Sequence, residues 1–140
     1  MEPTPIGAGK QIREREAFEN GYYYFIQALE ILAQDASAQC ENSGNYNVAW
    51  ELKDDVSAGA YLLNSPSSSR LTAEQKRGIL DLISELESVP STELPAGPNP
   101  QDNLAAMNHP SWKPLRKHAS QLLKLLAQAT EECNRYLFKR

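Results

Sequence analysis

Residues 111–138, SWKPLRKHASQLLKLLAQATEECNRYLF, decide the fold. Placed at about 100° per residue, Leu115, Ala119, Leu122, Leu126, Ala129, Cys133 and Leu137 fall on one line. Leu123 and Leu125 widen that line, while Lys117, Lys124, Glu131 and Arg135 take the opposite side. A helix with one apolar stripe must cover it with other elements, so the upstream chain should supply more helices.

It does. Over residues 10–39, Phe18, Tyr22, Phe25, Leu29, Leu32, Ala33, Ala36 and Cys40 form a stripe, with Tyr24 and Ile31 nearly opposite. Such a helix is apolar around most of its girth, so it is either central or shared with another chain. After the turn cluster Asn42-Ser43-Gly44-Asn45, a second helix over residues 46–63 has Val48, Leu52, Val56, Ala60 and Leu63 as its inner face. A third begins at Thr72, whose hydroxyl and Gln75 three residues on make a capping-box pattern. Its inner face is Ile79, Leu82, Ile83 and Leu86.

Between them and the last helix, residues 89–114 hold six prolines. Asn99-Pro100 there predicts a short helix carrying Leu104 and Met107, with proline at its favoured first position. Residues 64–70 read as a Ser/Pro loop and residues 1–9 as a flexible arm. Gly7-Ala8-Gly9-Lys10 lacks both the first glycine and the Ser/Thr of a phosphate-binding loop.

Composition points the same way, with 17 Leu and 16 Ala against 3 Val, 6 Ile and 4 Thr. The expectation is an all-α chain: an antiparallel helical bundle of four main helices plus a short helix in the Pro-rich loop, with residues 10–140 forming one domain. A chain of 140 residues is ample for one such core.

The net charge of -4 argues against a general nucleic-acid binder, which is usually basic. No apolar run approaches the roughly 20 residues of a membrane span. Residues 1–15 lack the apolar core of a signal peptide, so the expected location is cytoplasmic. Cys40 and Cys133 fall on apolar faces, as buried thiols or as a disulfide joining the first and last helices. No Cys-x-x-Cys or Glu-x-x-His occurs, and neither His109 nor His118 has a metal-ligand partner at helical spacing. Neither a metal nor a cofactor is expected.

Candidate functional residues fall into four groups. Trp50 and Tyr61 lie opposite the core face of the second helix, bordered by Glu51, Asp54 and Asp55; this pattern suits a basic protein partner. His109 and Trp112 close the Pro-rich loop and make a second partner-binding candidate. Lys113, Arg116 and Lys117 put three cations at a helix start, where they are unfavourable unless an anion compensates. That anion is the Glu51/Asp54/Asp55 ridge or an external carboxylate or phosphate. Tyr24 and Ile31 would serve a homo-oligomer.

The leading expectation is a non-catalytic interaction protein, with an acidic immunity-type inhibitor of a basic partner as one concrete form. The alternatives are a structural homo-oligomer, and a small-ligand or anion-binding protein or enzyme built on the Pro-rich loop and the start of the last helix.

Overall fold

The computed structural model describes residues 6–44, 47–90, 93–95 and 97–138, with backbone alone at 6–8. All regular structure among these residues is helical, in the order α1 (Ile6–Leu32), α2 (Ala36–Asn42), α3 (Val48–Ser57), α4 (Gly59–Leu63), a 3₁₀ turn (Pro66–Arg70), α5 (Ala73–Leu86), α6 (Pro100–Met107), α7 (Trp112–Leu125) and α8 (Ala127–Phe138). No helix among them is long and apolar enough to cross a membrane. Residues 6–9, read from sequence as part of an arm, belong to α1; residues 1–5 lie outside the described residues.

Helix α1 packs against α2, α3, α4, α7 and α8. That central position explains why it is apolar around most of its girth. Phe18, Tyr22, Phe25, Leu29 and Leu32 are all buried along it. The last helix delivers the line expected of it: Leu115, Ala119, Leu122, Leu126, Ala129 and Cys133 are buried.

Three of the expected helices are broken, two of them where a side chain takes a backbone hydrogen bond and one beside a close helix–helix approach. The first stops at Leu32 because Asp35 caps a new helix, its carboxylate accepting from Ala38 N–H at 2.9 Å. The carbonyl of Leu32 is then taken by the Gln39 side-chain amide at 2.9 Å. The second breaks at Ala58, and its phase slips by one residue: Gly59 and Leu62 are buried where Ala60 and Leu63 were expected. A Cβ on Gly59 would lie 2.5 Å from Phe25 Cε1, so only glycine lets α4 approach α1 this closely. The last breaks at Leu126, where Gln75 Nε2 donates to the Leu125 carbonyl at 3.3 Å.

The capping box of α5 is complete, with Gln75 N–H donating to Thr72 Oγ1 at 3.1 Å and Thr72 N–H to Gln75 Oε1 at 2.9 Å. Asn99 caps α6 as expected, accepting from Gln101 N–H at 2.8 Å with Pro100 in the first turn. Leu104, however, is exposed, and the buried positions of α6 are Asn103, Ala106 and Met107. Asn103 is the anchor of the Pro-rich segment. Its amide donates to the carbonyls of Gly97 (3.0 Å) and Asn99 (3.1 Å), and its Oδ1 accepts from Val48 N–H at 2.9 Å, capping α3.

The core also holds a charge cluster. Glu19 is completely buried on α1, between Phe18 and Tyr22. Arg70, at the end of the 3₁₀ turn, donates from Nη2 to Glu19 Oε1 at 2.7 Å and to the Ala129 carbonyl at 3.0 Å. Its Nη1 reaches Glu132 at 2.9 Å, and Arg15 donates to the other Glu19 oxygen at 2.7 Å. The guanidinium lies over the rings of Phe18 and Tyr22, 5.7 and 5.5 Å from their centroids. One buried carboxylate is thus paired twice, as a charge removed from water requires.

Candidate functional site on the face of α1, α3 and α4

Helix α3 presents Trp50, Asp54 and Ser57 in one row, and α4 continues it with Tyr61. The spacing of three or four residues is that of a single helix face, and it survives the break because α4 resumes after one turn residue. Trp50 is 58% exposed and Tyr61 80% exposed. Neither is needed to cover a neighbouring helix.

Across from this row stands α1. Tyr24, 67% exposed, lines an apolar groove together with Ala17, Phe18, Gly21, Phe25, Ala58, Tyr61, Leu62 and Ser65. The groove continues past Tyr24 and Ala58 into a second stretch lined by Gln27, Ala28, Ile31 and Asp55. Tyr24 and Ile31 therefore share one trough with Asp55 and Tyr61. Two surfaces that are separate in sequence are one surface in space.

The acidic border sits at the Ile31 end. Burial against the trough wall, and then the charge of neighbouring Asp54, push the Asp55 carboxyl above its ordinary value. Its ionised form is thus held at a cost, and a cation brought into the trough would relieve it.

The other sequence candidates are placed differently. Trp112 is completely buried, so its indole holds the loop end in the core and offers no contact to a partner. Its expected role as a partner-binding anchor is corrected accordingly. His109 is half-buried and held within its own turn: Nδ1 accepts from Ser111 N–H at 3.1 Å and lies 2.8 Å from Ser111 Oγ. The imidazole fixes the start of α7.

Arg116 is also committed within the fold. Its Nη2 donates to Gln39 Oε1 at 2.9 Å and to the Met107 carbonyl, satisfying the C-terminal end of α6. Burial lowers its pKa from the ordinary guanidinium value, with Asp35 opposing. Lys113 and Lys117 are exposed, and among the described residues neither has an ion-pair partner. The start of α7 is therefore not a three-cation anion site, because its most enclosed cation already serves two internal carbonyls. His118 pairs with Glu85 of α5 at 2.6 Å, consistent with a histidine at the core edge.

A separate cleft of about 200 Å³ lies between α1 and α8, lined by Tyr22, Tyr23, Ile26, Gln27, Glu30, Thr130, Cys133 and Asn134. Its inner polar groups are already satisfied. Tyr22 Oη lies 2.8 Å from Thr130 Oγ1, and the Cys133 thiol donates to the Glu19 carbonyl at 3.3 Å. Burial pushes both Tyr22 and Cys133 up to about 12, so neither ionises at neutral pH. Both cysteines are free and buried. Among the described residues, no group of three or more His, Cys, Asp or Glu side chains is placed to hold a metal ion.

Sequence reasoning missed the small residues of the trough, Ala17, Gly21, Ala28 and Ala58, which matter only once α1 and α4 are side by side. It also missed Glu19 and Arg70. Glu19 carried a signal, since Tyr22 and Ile26, three and seven residues on, are both core residues. No family model, no curated protein and no solved structure matches the chain.

Proposed function

We propose that the protein is a non-catalytic, cytoplasmic protein–protein interaction module, in which an antiparallel bundle of four rods (α1, α3 with α4, α5, α7 with α8) presents the trough to a partner. The observation that carries this reading is the pair of exposed tyrosines, Tyr24 and Tyr61, on an apolar trough that Asp55 closes at one end, with exposed Trp50 and Asp54 on the adjoining face of α3. Large aromatics left in water beside an apolar groove gain most when a partner covers them. The acids favour a basic partner and speed its approach. An acidic immunity-type inhibitor of a basic protein is one concrete form of this function.

The roles separate kinetically. Against the partner captured by the wild-type chain, Asp54→Lys with Asp55→Lys lowers the association rate by about tenfold at low salt. Trp50→Ala chiefly raises the dissociation rate. Wild-type kinetics in both variants would reject the face.

A second reading uses the same trough for a second copy of the chain, because Tyr24 and Ile31 line it. The acidic border and the net charge of -4 disfavour self-association. Light scattering separates the two: a monomer at high concentration supports the heterologous partner, and a dimer lost on Tyr24→Ala supports the homo-oligomer.

A further inference from the structure

The trough also restricts which kind of segment can lie in it, given the binding role proposed above. Between Tyr24 and Tyr61 its lining includes Ala17, Gly21, Ala28 and Ala58. These four side chains offer no hydrogen-bond donor or acceptor, and the polar lining groups, Gln27, Asp55, Ser65 and the tyrosine hydroxyls, are separate side chains with no row of free backbone groups among them. The walls are helices, whose backbone groups bond within themselves. A strand laid here would find no sheet edge to pair with, so most of its N–H and C=O groups would lose water without a regular partner. An α-helix brings its backbone already satisfied.

The dimensions agree. Ala17 to Ile31 spans about 21 Å of α1 at about 1.5 Å per residue, the length of a helix of about 14 residues. Short side chains on the lining let a second helix axis come close, since interaxial distance follows side-chain size at the contact. Asp55 lines one end of the trough, and Asp54 stands on the adjoining face with Lys53, so the end that meets a docked segment carries the Asp55 charge.

We infer that the trough receives an amphipathic helix of a basic partner protein, its apolar stripe on Gly21, Tyr24 and Ala58 and its Lys or Arg side chains at Asp55 and toward neighbouring Asp54.

Selection of a displayed random-peptide library on the full-length chain, followed by counter-screening on Ala58→Arg, tests this. Ala58 is exposed at the α3–α4 junction, so the arginine obstructs the trough without entering the core. Tyr61→Ala serves as an independent trough variant, and thermal unfolding verifies that both fold. The expected binders lose at least about tenfold in affinity on either variant, as central contacts do. They gain helical circular dichroism on binding and carry Lys or Arg toward one end. They also weaken about tenfold on Asp54→Asn with Asp55→Asn, an effect that added salt diminishes. Trough-dependent binders that are extended, proline-rich or acidic overturn the helix and leave the binding face standing. Binders indifferent to both trough variants overturn the face itself. A dimer of the chain that Ala58→Arg dissociates gives the trough to a second copy and overturns the basic partner.

Discussion

Tyr24 of α1 and Tyr61 of α4 line the same apolar groove, 67% and 80% exposed, with the lining between them kept open by small residues. Side chains this exposed contribute little to folding. Replacing both with alanine should leave stability within about 0.5 kcal/mol of wild type while weakening partner binding by more than tenfold. Paired thermal denaturation and binding titration check this. A large loss of stability would mean the tyrosines hold α1 to α4 and have no separate role.

Asp55 makes a prediction of opposite sign for stability and binding. Partial desolvation first, and the Asp54 charge second, raise its carboxyl above the ordinary aspartate value. The folded state then holds this proton more tightly than the unfolded chain. Stability from this group is greatest in acid and is lost as pH rises from the unfolded value through the folded one. Asp55→Asn should therefore raise the Tm at neutral pH, and the gain should close on acidification. Association with the partner should slow in the same variant. An unchanged or lower neutral Tm would contradict the account.

Glu19 and Arg70 give the largest expected loss of stability. Glu19→Ala leaves a nearly buried guanidinium whose one remaining carboxylate partner among the described residues is the half-exposed Glu132. Removing one member of a buried pair costs about 3–5 kcal/mol. Glu19→Leu combined with Arg70→Met should recover much of that loss. Urea unfolding of the single and double variants measures the coupling, and additive losses would show that the two residues act independently.

The thiols should be inert in the native protein. Cys133 is 1% exposed and pushed up to about 12, and Cys40 is buried with its pKa also raised by burial. Alkylation at pH about 8 should proceed only as fast as the chain opens. Tyr22, likewise at about 12, and Cys133 keep their protons in the folded state after the unfolded chain has lost them. Stability should accordingly fall as pH climbs from about 9 toward 12. Rapid labelling of either cysteine in folded protein would contradict the burial.

How much of this was legible in the sequence depended on the range of the interactions. Periodicity placed the core line of the last helix, and local capping chemistry placed Thr72, Gln75 and Asn99, because each signal lies within a few residues. The breaks at Ala58 and Leu126 were invisible. One depends on Phe25 sitting against Gly59 and the other on Gln75 reaching Leu125, contacts made only when the elements have packed. The same limit governed the site. Trp50, Asp54, Asp55 and Tyr61 were readable as one helix face, and Tyr24 and Ile31 as an odd second stripe. Their union in one trough is tertiary. Trp112 misled because an aromatic residue next to a loop reads the same whether it points inward or outward. Arg116 misled because its acceptors, the Gln39 side-chain amide and the Met107 carbonyl at the end of α6, come together only in the fold.

The most direct test of the binding face is a quantitative pull-down from native-host lysate with the wild-type chain and Ala58→Arg in parallel, read by mass spectrometry. The account predicts one stoichiometric heterologous protein on the wild-type chain that is lost from Ala58→Arg, while both baits remain folded. Equal recovery of the same protein by both baits, or recovery of the bait alone from each, would contradict it.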